Sequence, residues 1–322
     1  MSTLTTITRF QTQRISKLFG QTLKACLIWC GAKMAFLSPL RYPGGKSKLA
    51  PVLKSIARKN ALLDGVYVEP FAGGFGAGLS LLFNGYMNRV VINDLSPAIY
   101  SFWKACLLHT DEFCRRVECA ELSITEWRRQ KEIFTNATTE DVIDLGFSAF
   151  YLNRTNKSGV LNGGPIGGID QGGNFKIDAR FNKTALIDRI SMIARLKSRI
   201  TIFNEDASNI DYSEFSDGKH LIYFDPPYYE KGRNLYYDYF NSSDHNRLAQ
   251  IVSSLDGSIN WLVSYDNVEP ISKLYQGFNS VTFGLGYSVR DAKFGNEILF
   301  HSSSLSVSKC DFELAGRSIK VA

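Results

Sequence analysis

Short apolar runs alternate with amphipathic stretches along most of this 322-residue chain. Each run ends at or just before an acidic residue, a pattern typical of buried strands in a parallel sheet. Five such runs predict core strands, at 65–69, 89–93, 199–203, 221–224 and 261–265. Helical patterns follow several of them, so the chain is predicted to adopt an α/β fold with a largely parallel sheet.

The run 221–224 is followed directly by Asp225-Pro226-Pro227-Tyr228. Two successive prolines cannot continue a strand, because proline has a fixed φ and no amide N–H. Asp225 is therefore expected at the carboxyl end of a strand, the edge where open α/β sheets bind ligands. The structural alternative is that Asp before Pro starts a turn and that the aromatic residues fill a core. We favour a function, because this combination of residues seldom arises by chance.

The residue types in this motif suit a reaction at the exocyclic amino group of a base. The amino nitrogen is a poor nucleophile, because its lone pair is delocalised into the aromatic ring. Two acceptors that hold its hydrogens, the carboxylate of Asp225 and the carbonyl of Pro226, favour the tetrahedral geometry that frees the lone pair. Tyr228 would stack on the base, an interaction that contributes about 1–3 kcal/mol.

A glycine-rich turn and a later acid indicate a second ligand at the same edge. Residues 65–79 predict a strand, a turn containing Gly73 and the start of a helix, in which glycine lets a ligand approach the backbone. Asp94 follows about twenty residues later, where a Rossmann-like fold binds ribose hydroxyls. A helix cap is the alternative role for Asp94. Asp206, just after the third strand, is expected beside it.

The segment from Arg41 to Lys48 predicts another ligand-binding turn. Pro-Gly-Gly at 43–45 makes the turn, and the free N–H groups of the helix that follows suit an anion. The match to a nucleotide P-loop fails, because the upstream glycine and strand are missing. A simple helix-capping turn is the alternative.

The alternation of strands and helices stops between residues 110 and 198. Helices are predicted at 111–133 and 139–152, followed by long polar loops rich in glycine. Loops of this kind inside a compact domain are usually functional or disordered. They interleave Arg, Lys and Asn with Phe and Tyr, the types that contact bases and phosphates. An ordinary solvated surface loop is the alternative.

Global charge gives little indication of a nucleic-acid partner. The net charge is +6, but the acid-free first 33 residues contain five basic ones, which leaves +1 for the rest of the chain. Any affinity for phosphates must therefore come from local clusters. No apolar run reaches the roughly 18 residues of a membrane span. The six cysteines are not at metal-ligand or disulfide-framework spacing, so we expect a reduced, cytoplasmic protein without a metal.

This sequence resembles the site-specific adenine-N6 DNA methyltransferases that carry an Asp-Pro-Pro-Tyr motif. Four motifs occur in the family's order across residues 38–302: Tyr-Pro-Gly-Gly-Lys, the glycine-rich turn, the acid after the second strand, and Asp-Pro-Pro-Tyr. The resemblance implies a Rossmann-like fold with S-adenosylmethionine as methyl donor and an inserted, mainly helical target-recognition lobe. It also implies double-stranded DNA as the partner, with the target base flipped out of the helix. Phe75 departs from the pattern, because many members have glycine there.

By the same resemblance, three groups of residues are expected to form the sites. The expected catalytic residues are Asp225, Pro226 and Tyr228. The expected donor site contains Tyr42, Lys46, Glu69, Phe71, Gly73, Asp94, Asp206 and Asp225. The expected DNA contacts are Arg41, Asn153, Arg154, Asn156, Lys157, Arg180 and Lys183.

The predicted domain organisation has four parts. Residues 1–37 are an N-terminal extension, for which we favour a segment upstream of the usual start near Met34 over a targeting peptide or a DNA-binding arm. The catalytic domain comprises 38–109 and 199–305, and the inserted lobe comprises 110–198. Residues 306–322 are expected to be a tail. We expect a monomer or a weak dimer, encoded by a bacterium or a phage.

The helix predicted after the central motif contains a histidine that invites a catalytic interpretation. Asp244 is the expected N-cap of this helix. His245 follows it, so a surface or capping role is favoured over that of a general base.

Other functions stay open from the sequence. The same mechanism suits cytosine N4, an RNA adenine or a protein amide, although Asp before Pro-Pro points to adenine. A DNA-binding module without catalysis is the other alternative, against which the intact Asp225, Tyr228, Asp94 and Lys46 argue. Cytosine-C5 methylation is disfavoured, because it needs a cysteine nucleophile, normally after proline, and no cysteine of the chain follows a proline.

Overall fold

A computed structural model describes residues 37–42, 46–216, 218–229, 240–255, 257–286, 294–313 and 319–321. The predicted extension up to residue 36 and the turn residues 43–45 lie outside these ranges, as do 230–239 and 287–293. The chain divides into two units, Met1–Leu37 and Ser38–Ala322. The elements described below all belong to the second unit.

The described residues form one eight-stranded sheet in the order β3-β2-β1-β4-β5-β7-β6-β8. Its strands are β1 Gly65–Glu69, β2 Met87–Asn93, β3 Ile200–Phe203, β4 His220–Phe224, β5 Trp261–Asp266, β6 Asn279–Gly286, β7 Phe294–His301 and β8 Ile319–Val321. The pairings among β1 to β5 are parallel, and the pairings of β5 with β7, β7 with β6 and β6 with β8 are antiparallel. The five strands predicted from the apolar runs are therefore confirmed.

The strand order reverses direction at β1, which lies between β2 and β4. In α/β sheets such a switch point leaves a crevice at the carboxyl ends of the strands, because the connections on either side lead away from it. Val68 of β1 pairs with Ile222 of β4, so Glu69 and Asp225 both lie at this crevice. The topology thus brings the central motif next to the glycine-rich turn.

Ten α-helices are formed by the described residues. They are α1 Ala50–Lys59, α2 Gly76–Phe83, α3 Pro97–Leu108, α4 Thr110–Cys119, α5 Ile124–Asn136, α6 Val142–Thr155, α7 Lys183–Ala194, α8 Ser242–Ser254, α9 Glu269–Leu274 and α10 Lys309–Glu313. None of these helices is long and apolar enough to cross a membrane.

Burial explains why β4 holds its place in the sheet. All five of its residues are buried. Ile222 and Phe224 belong to one apolar cluster together with Leu248 and Val252 of α8. A strand covered on both faces must be apolar throughout, and the first polar side chain after it, Asp225, appears where the strand ends.

The segment 110–198, predicted as an inserted lobe, packs against α3. Phe150 of α6 stacks on Phe102 of α3, with ring centroids 5.8 Å apart and planes 6° apart. Gly146 permits this approach, because a Cβ there would lie 2.6 Å from the carbonyl oxygen of Ser101. This segment is therefore packed closely against the helix that follows Asp94.

Two helix predictions are corrected at their ends. The helix predicted for 111–133 is two helices, because the side chain of Ser123 accepts a hydrogen bond from the Glu126 N–H at 3.1 Å and starts a new one. Helix α8 begins at an Asn241 cap rather than at Asp244. Asp244 is the third residue of the helix and completes a capping box with Asn241.

The segment 306–322, predicted as a tail, contributes structure to the second unit. The side chain of Ser55 in α1 donates a hydrogen bond to Asp311 of α10 at 2.7 Å. Strand β8 pairs with β6 at the edge of the sheet. This segment therefore completes the antiparallel side of the fold.

Candidate active site

Asp225 projects from the end of β4 with its two carboxylate oxygens in different surroundings. Oδ1 accepts a hydrogen bond from Ser264 Oγ at 3.1 Å and lies 3.4 Å from Lys46 Nζ. None of the described residues donates a hydrogen bond to Oδ2, and the side chain is 20% exposed. One oxygen is thus fixed by the protein while the other is available to a ligand.

Ser264 is itself held from below by a buried phenol. Tyr223 Oη lies 2.7 Å from Ser264 Oγ, and both side chains are fully buried. Tyr223 belongs to β4 and Ser264 to β5, so the pair ties together the two strands beneath Asp225. A carboxylate supported in this way has little freedom to rotate.

Lys46 places a buried positive charge in the centre of the site. Its Nζ donates hydrogen bonds to Glu297 Oε2 at 2.8 Å and to Tyr228 Oη at 2.5 Å. It also lies 4.6 Å from the centre of the Tyr228 ring. Burial disfavours the ammonium, but Asp225, Tyr228 and Glu297 outweigh it and raise the pKa of Lys46 well above its ordinary value.

Tyr228 is positioned by its hydroxyl group. The Tyr228 hydroxyl donates to Glu297 Oε1 at 2.6 Å, and the residue is 4% exposed. Pro226, next to Asp225, is buried as well. Of the three predicted catalytic residues, Asp225 is the one with appreciable exposure, so stacking of a base on Tyr228 requires part of the ring to be uncovered.

Burial raises the pKa of Asp225 to about 6, a change that Lys46 opposes and Glu297 reinforces. The groups that influence its titration come from two strands and from the turn that contains Lys46. They are Lys46, Glu297 and Ser264. Asp225 is therefore mainly ionised at neutral pH but titrates within a range that a rate measurement can reach.

The glycine-rich turn is pinned on both sides of Gly73. The Gly73 N–H donates to Asp94 Oδ2 at 2.7 Å, and the Gly73 carbonyl accepts from Trp103 Nε1 at 3.0 Å. Gly73 has φ +47°, and a Cβ there would lie 2.6 Å from the ring of Tyr42. The turn thus requires glycine, and the structure brings Tyr42, Gly73 and Asp94 together as the sequence predicted.

Asp94 also fixes the start of the following helix. Its Oδ1 accepts from the Ser96 N–H at 3.0 Å. Both roles considered for Asp94, binding of a ligand and capping of the helix, are therefore compatible with its position. The exposed apolar side chains of Leu95 and Phe203 lie at the same edge, where the Asp94 N–H donates to the Phe203 carbonyl at 3.4 Å.

Phe75 shows how the turn closes with a bulky residue at this position. Its backbone is left-handed, with φ +48°, a conformation that costs a non-glycine residue about 1–2 kcal/mol. Its ring is buried against Trp103 and lies over Gly78, where a Cβ would be 2.2 Å away. Burial of the ring offsets the backbone cost.

Three further predicted donor residues occupy distinct positions. Glu69 is 3% exposed, and its Oε2 has no hydrogen-bond partner among the described residues. Burial, followed by repulsion from Asp225, raises the pKa of Glu69 well above its ordinary value. Asp206 accepts hydrogen bonds from Ser208 and lies 3.2 Å from Arg247 Nη2. Phe71 packs edge-on against Phe240.

Two of the predicted DNA contacts, Asn153 and Asn156, are buried and hydrogen-bonded within the protein. Asn153 bonds the backbone of Arg41 with both ends of its amide, at 2.7 Å each. The amide of Asn156 accepts from Trp127 Nε1 and donates to the carbonyls of Val160 and Leu161. Both asparagines are at most 1% exposed. They hold the loop in shape, and a direct contact with DNA does not fit their burial.

The predicted basic contacts cluster around Arg154. Its guanidinium donates to the carbonyls of Pro39 and Arg180. Burial, together with the neighbouring charges of Arg41, Arg189 and Arg180, lowers the pKa of Arg154 to about 9. The Arg154 and Arg189 Nε atoms are buried without a partner among the described residues.

The remaining predicted contacts on the lobe are more exposed. The guanidinium of Arg180 lies 5.4 Å from the ring of Phe175, which is 63% exposed. Lys157 is exposed. Lys183 Nζ donates to the carbonyl of Glu118 at 2.8 Å.

The prediction for His245 is wrong as regards its place at the surface. The residue is 1% exposed, and its Nδ1 lies 2.9 Å from Tyr265 Oη. The rings of Tyr229 and Phe240 pack against it, and burial lowers its pKa. His245 belongs to the core beneath the site.

Glu297, Ser264 and Arg189 were missed by the sequence predictions. Ser264 carries a signal, because it is the polar residue inside the apolar run 261–265, and Glu297 carries a weaker one, because Asn296 and His301 of its strand are polar too. Such a position in a buried strand calls for a partner. Arg189 lies in an ordinary amphipathic helix and carries no comparable signal. No cluster of acidic, histidine or cysteine side chains within the described ranges is arranged to hold a metal ion.

Comparison with known proteins places these features in a family context. Residues 42–287 match the family model described as D12 class N6 adenine-specific DNA methyltransferase. The Type II methyltransferase M.MjaIII of Methanocaldococcus jannaschii is 26% identical over 264 residues, which covers 74% of this chain and 88% of that protein. The Type II methyltransferase M.CviBI of Paramecium bursaria Chlorella virus NC1A is 22% identical over 249 residues, with 72% and 85% covered.

A comparison with solved structures finds a weaker likeness. The rRNA methyltransferase aviRa from Streptomyces viridochromogenes is aligned over 86% of this chain and 90% of that one, with 15% identity and a TM-score of 0.37. A likeness at this level adds nothing to the argument from the site.

Proposed function

The chain belongs to the D12 class N6 adenine-specific DNA methyltransferase family, and we propose that Asp225, Pro226 and Tyr228 form the place where its target base reacts. It is a site-specific DNA methyltransferase that acts on N6 of adenine. Family membership implies S-adenosylmethionine as the methyl donor. The observation that supports this assignment is that Ser264 and Lys46 hold one carboxylate oxygen of Asp225, whereas the other has no donor among the described residues.

Asp225 suits an adenine amino group because its two oxygens differ. Ser264 and Lys46 fix Oδ1, whereas Oδ2 has no donor among the described residues. A carboxylate oxygen accepts but does not donate, so it selects an N–H group. The Pro226 carbonyl, next along the chain, supplies the second acceptor in this proposal.

The protein stabilises charge on the base during the reaction. When bound, S-adenosylmethionine supplies a methyl group on a positively charged sulfur. N6 would form its bond to the methyl carbon as the bond from that carbon to the sulfur breaks, which leaves S-adenosylhomocysteine as a neutral thioether. Positive charge would develop on the nitrogen, where the ionised Asp225 would stabilise it. N6 would then lose one hydrogen as a proton, and in this proposal Asp225 accepts that proton.

The donor-side residues fit the methyl donor by their chemistry. Glu69 Oε2 is a buried acceptor without a hydrogen-bond partner among the described residues. The ammonium and hydroxyl groups of S-adenosylmethionine can donate the hydrogen bond that it lacks. Gly73 keeps the turn free of side chains beside Tyr42. In this proposal Tyr42, Lys46, Phe71, Asp94 and Asp206 complete the donor site.

The inserted lobe is proposed to hold double-stranded DNA and to choose the target sequence. Arg41, Arg154 and Arg189 lie in a partly buried cluster, and none is paired with a carboxylate of the described chain. Like charges held together in this way are stabilised by an anion, and the phosphates of DNA are the anions that this family's substrate offers. Arg180, Lys157 and Lys183 extend the basic surface.

Methylation in cells tests the proposal and supplies the target sequence. DNA from cells that express the wild-type protein should contain N6-methyladenine at one short sequence, and DNA from cells with Asp225→Asn should contain none. Methylation at N4 of cytosine, or an active Asp225→Asn variant, would contradict the assignment.

A further inference from the structure

Glu297 is a buried acid that lies outside the 42–287 region matched by the family model. In β7 it pairs with Asp266 of β5 on one side and with Phe283 of β6 on the other. It is 1% exposed. A carboxylate in the middle of a sheet is costly unless it has charged or hydrogen-bonding partners, so its contacts identify its purpose.

The two oxygens of Glu297 bind two different parts of the active site. Oε2 lies 2.8 Å from Lys46 Nζ, and Oε1 accepts a hydrogen bond from the Tyr228 hydroxyl at 2.6 Å. Lys46 also donates to the same hydroxyl at 2.5 Å. The three groups therefore form a closed triangle in which each contacts the other two.

Resting on the roles proposed above, we propose that Glu297 is a positioning residue that couples donor binding at Lys46 to capture of the target base at Tyr228. If a ligand draws the Lys46 ammonium away from Glu297, the hydrogen bond between Glu297 and the Tyr228 hydroxyl changes, because one carboxylate binds both groups. Likewise, if Tyr228 moves to uncover its ring, the hydrogen bonds of Lys46 change. A coupling of this kind must be reciprocal.

The simpler role, neutralisation of Lys46, accounts for only half of these contacts. Lys46 already has a carboxylate partner in Asp225, 3.4 Å away. The Tyr228 phenol carries no charge that needs neutralising, yet it donates a hydrogen bond to Glu297 Oε1. A residue that only balanced charge would have no need of this second contact.

The test measures binding of S-adenosylhomocysteine and of a DNA duplex, separately and together. The duplex carries the mapped target sequence with 2-aminopurine in place of the target adenine, whose fluorescence rises when the base leaves the stack. In the wild type, each ligand should tighten binding of the other about fivefold or more, and S-adenosylhomocysteine should increase the fluorescence of the bound duplex. Glu297→Gln should reduce the mutual effect to less than about twofold.

The control is Glu269→Gln, which removes an exposed acid of α9 that is paired with Lys273. It should keep the full wild-type coupling. Wild-type coupling and fluorescence in Glu297→Gln would overturn the inference, as would a wild type in which the two affinities are independent. An absence of methylated adenine in the expressing cells would instead reject the proposed function.

A second variant keeps the test decisive if Glu297→Gln fails to fold. Tyr228→Phe keeps the aromatic ring but removes the hydroxyl that Glu297 and Lys46 bind, so it should lose the coupling in the same way. The double variant should lose no more than either single one, because both break one link. Normal coupling in Tyr228→Phe, or additive losses in the double variant, would overturn the inference.

Discussion

Asp225 Oδ1 lies 3.4 Å from Lys46 Nζ, an ion pair that joins the end of β4 to the turn ahead of α1. Lys46 lowers the pKa of Asp225, while burial raises it, and the balance leaves it at about 6. The pair thus adjusts the pH at which the carboxylate becomes able to hold an amino group.

The first prediction concerns the pH dependence of methyl transfer. A protonated Asp225 cannot stabilise positive charge on N6, so the single-turnover rate at saturating donor and DNA should fall to about half its plateau near pH 6. Lys46→Met removes a charge that lowers the pKa of Asp225, so the pH at which the rate is half its plateau should rise. Glu297→Gln removes a charge that raises the pKa of Asp225, so this pH should fall. Lys197→Met, at an exposed lysine, is the control, and the same half-plateau pH in all variants would contradict this view.

The same pKa makes a prediction about stability. Folded Asp225 holds its proton more tightly than the unfolded chain, whose value is near 3.8. The stabilisation that this gives is full below pH 4 and is lost as the pH rises through 6. Asp225→Asn stays neutral, so its free energy of unfolding should exceed that of the wild type by an amount that grows between pH 5 and pH 8, to the order of 1–3 kcal/mol. Urea unfolding at both pH values measures it, and an advantage that shrinks with pH would refute the assigned pKa.

The donor site can be tested without chemistry. Asp94→Ala removes the carboxylate that holds the Gly73 and Ser96 N–H groups, so S-adenosylhomocysteine should bind at least about tenfold more weakly. Calorimetry gives the affinity, and circular dichroism should show an intact fold. Asp170→Ala, an exposed acid of the lobe, should bind normally. Equal affinity in Asp94→Ala would remove Asp94 from the donor site.

The basic surface of the lobe makes a prediction about salt. Neutralising one phosphate contact lowers the slope of log affinity against log salt by about 0.9. Arg180→Gln should show this decrease in an anisotropy titration with duplex DNA, whereas Arg195→Gln, an exposed arginine at the end of α7, should not. If the two variants behave alike, Arg180 does not contact a phosphate.

Asn156 separates a structural role from a DNA contact. Its loss leaves Trp127 Nε1 and the carbonyls of Val160 and Leu161 without their partners, so Asn156→Ala should lose about 1–3 kcal/mol of stability. Asn136→Ala, at an exposed helix end, should lose little. A stable Asn156→Ala that binds DNA poorly would restore the original prediction of a direct contact.

The strands of the sheet could be predicted because a buried strand appears in the sequence as a short run of apolar residues. Buried parallel strands must be apolar throughout, and Asp225, Asp94 and Glu69 stand out at their ends. These features depend on residues close together in the chain. That Tyr42 and Gly73 share one site was expected only from the family resemblance.

The parts that could not be predicted depend on contacts between distant segments. Asn156 and Arg154 stand in one polar stretch, and only the packing of Trp127 separates the buried residue from the charged cluster. Glu297 meets Lys46 across most of the chain, and no local pattern indicates that pairing. His245 was placed at the surface or in a capping role because it follows Asp244, the expected helix cap, whereas its environment is made by Tyr265 and Tyr229.

The most direct test of the whole account is the single-turnover methylation rate of Asp225→Ala, measured with saturating S-adenosylmethionine and the mapped target duplex. The account predicts a loss of at least about a thousandfold in rate, the scale seen when a preorganised charge-stabilising group is removed. S-adenosylhomocysteine and DNA should still bind within a few-fold of the wild type. A near-normal rate in Asp225→Ala would contradict the mechanism.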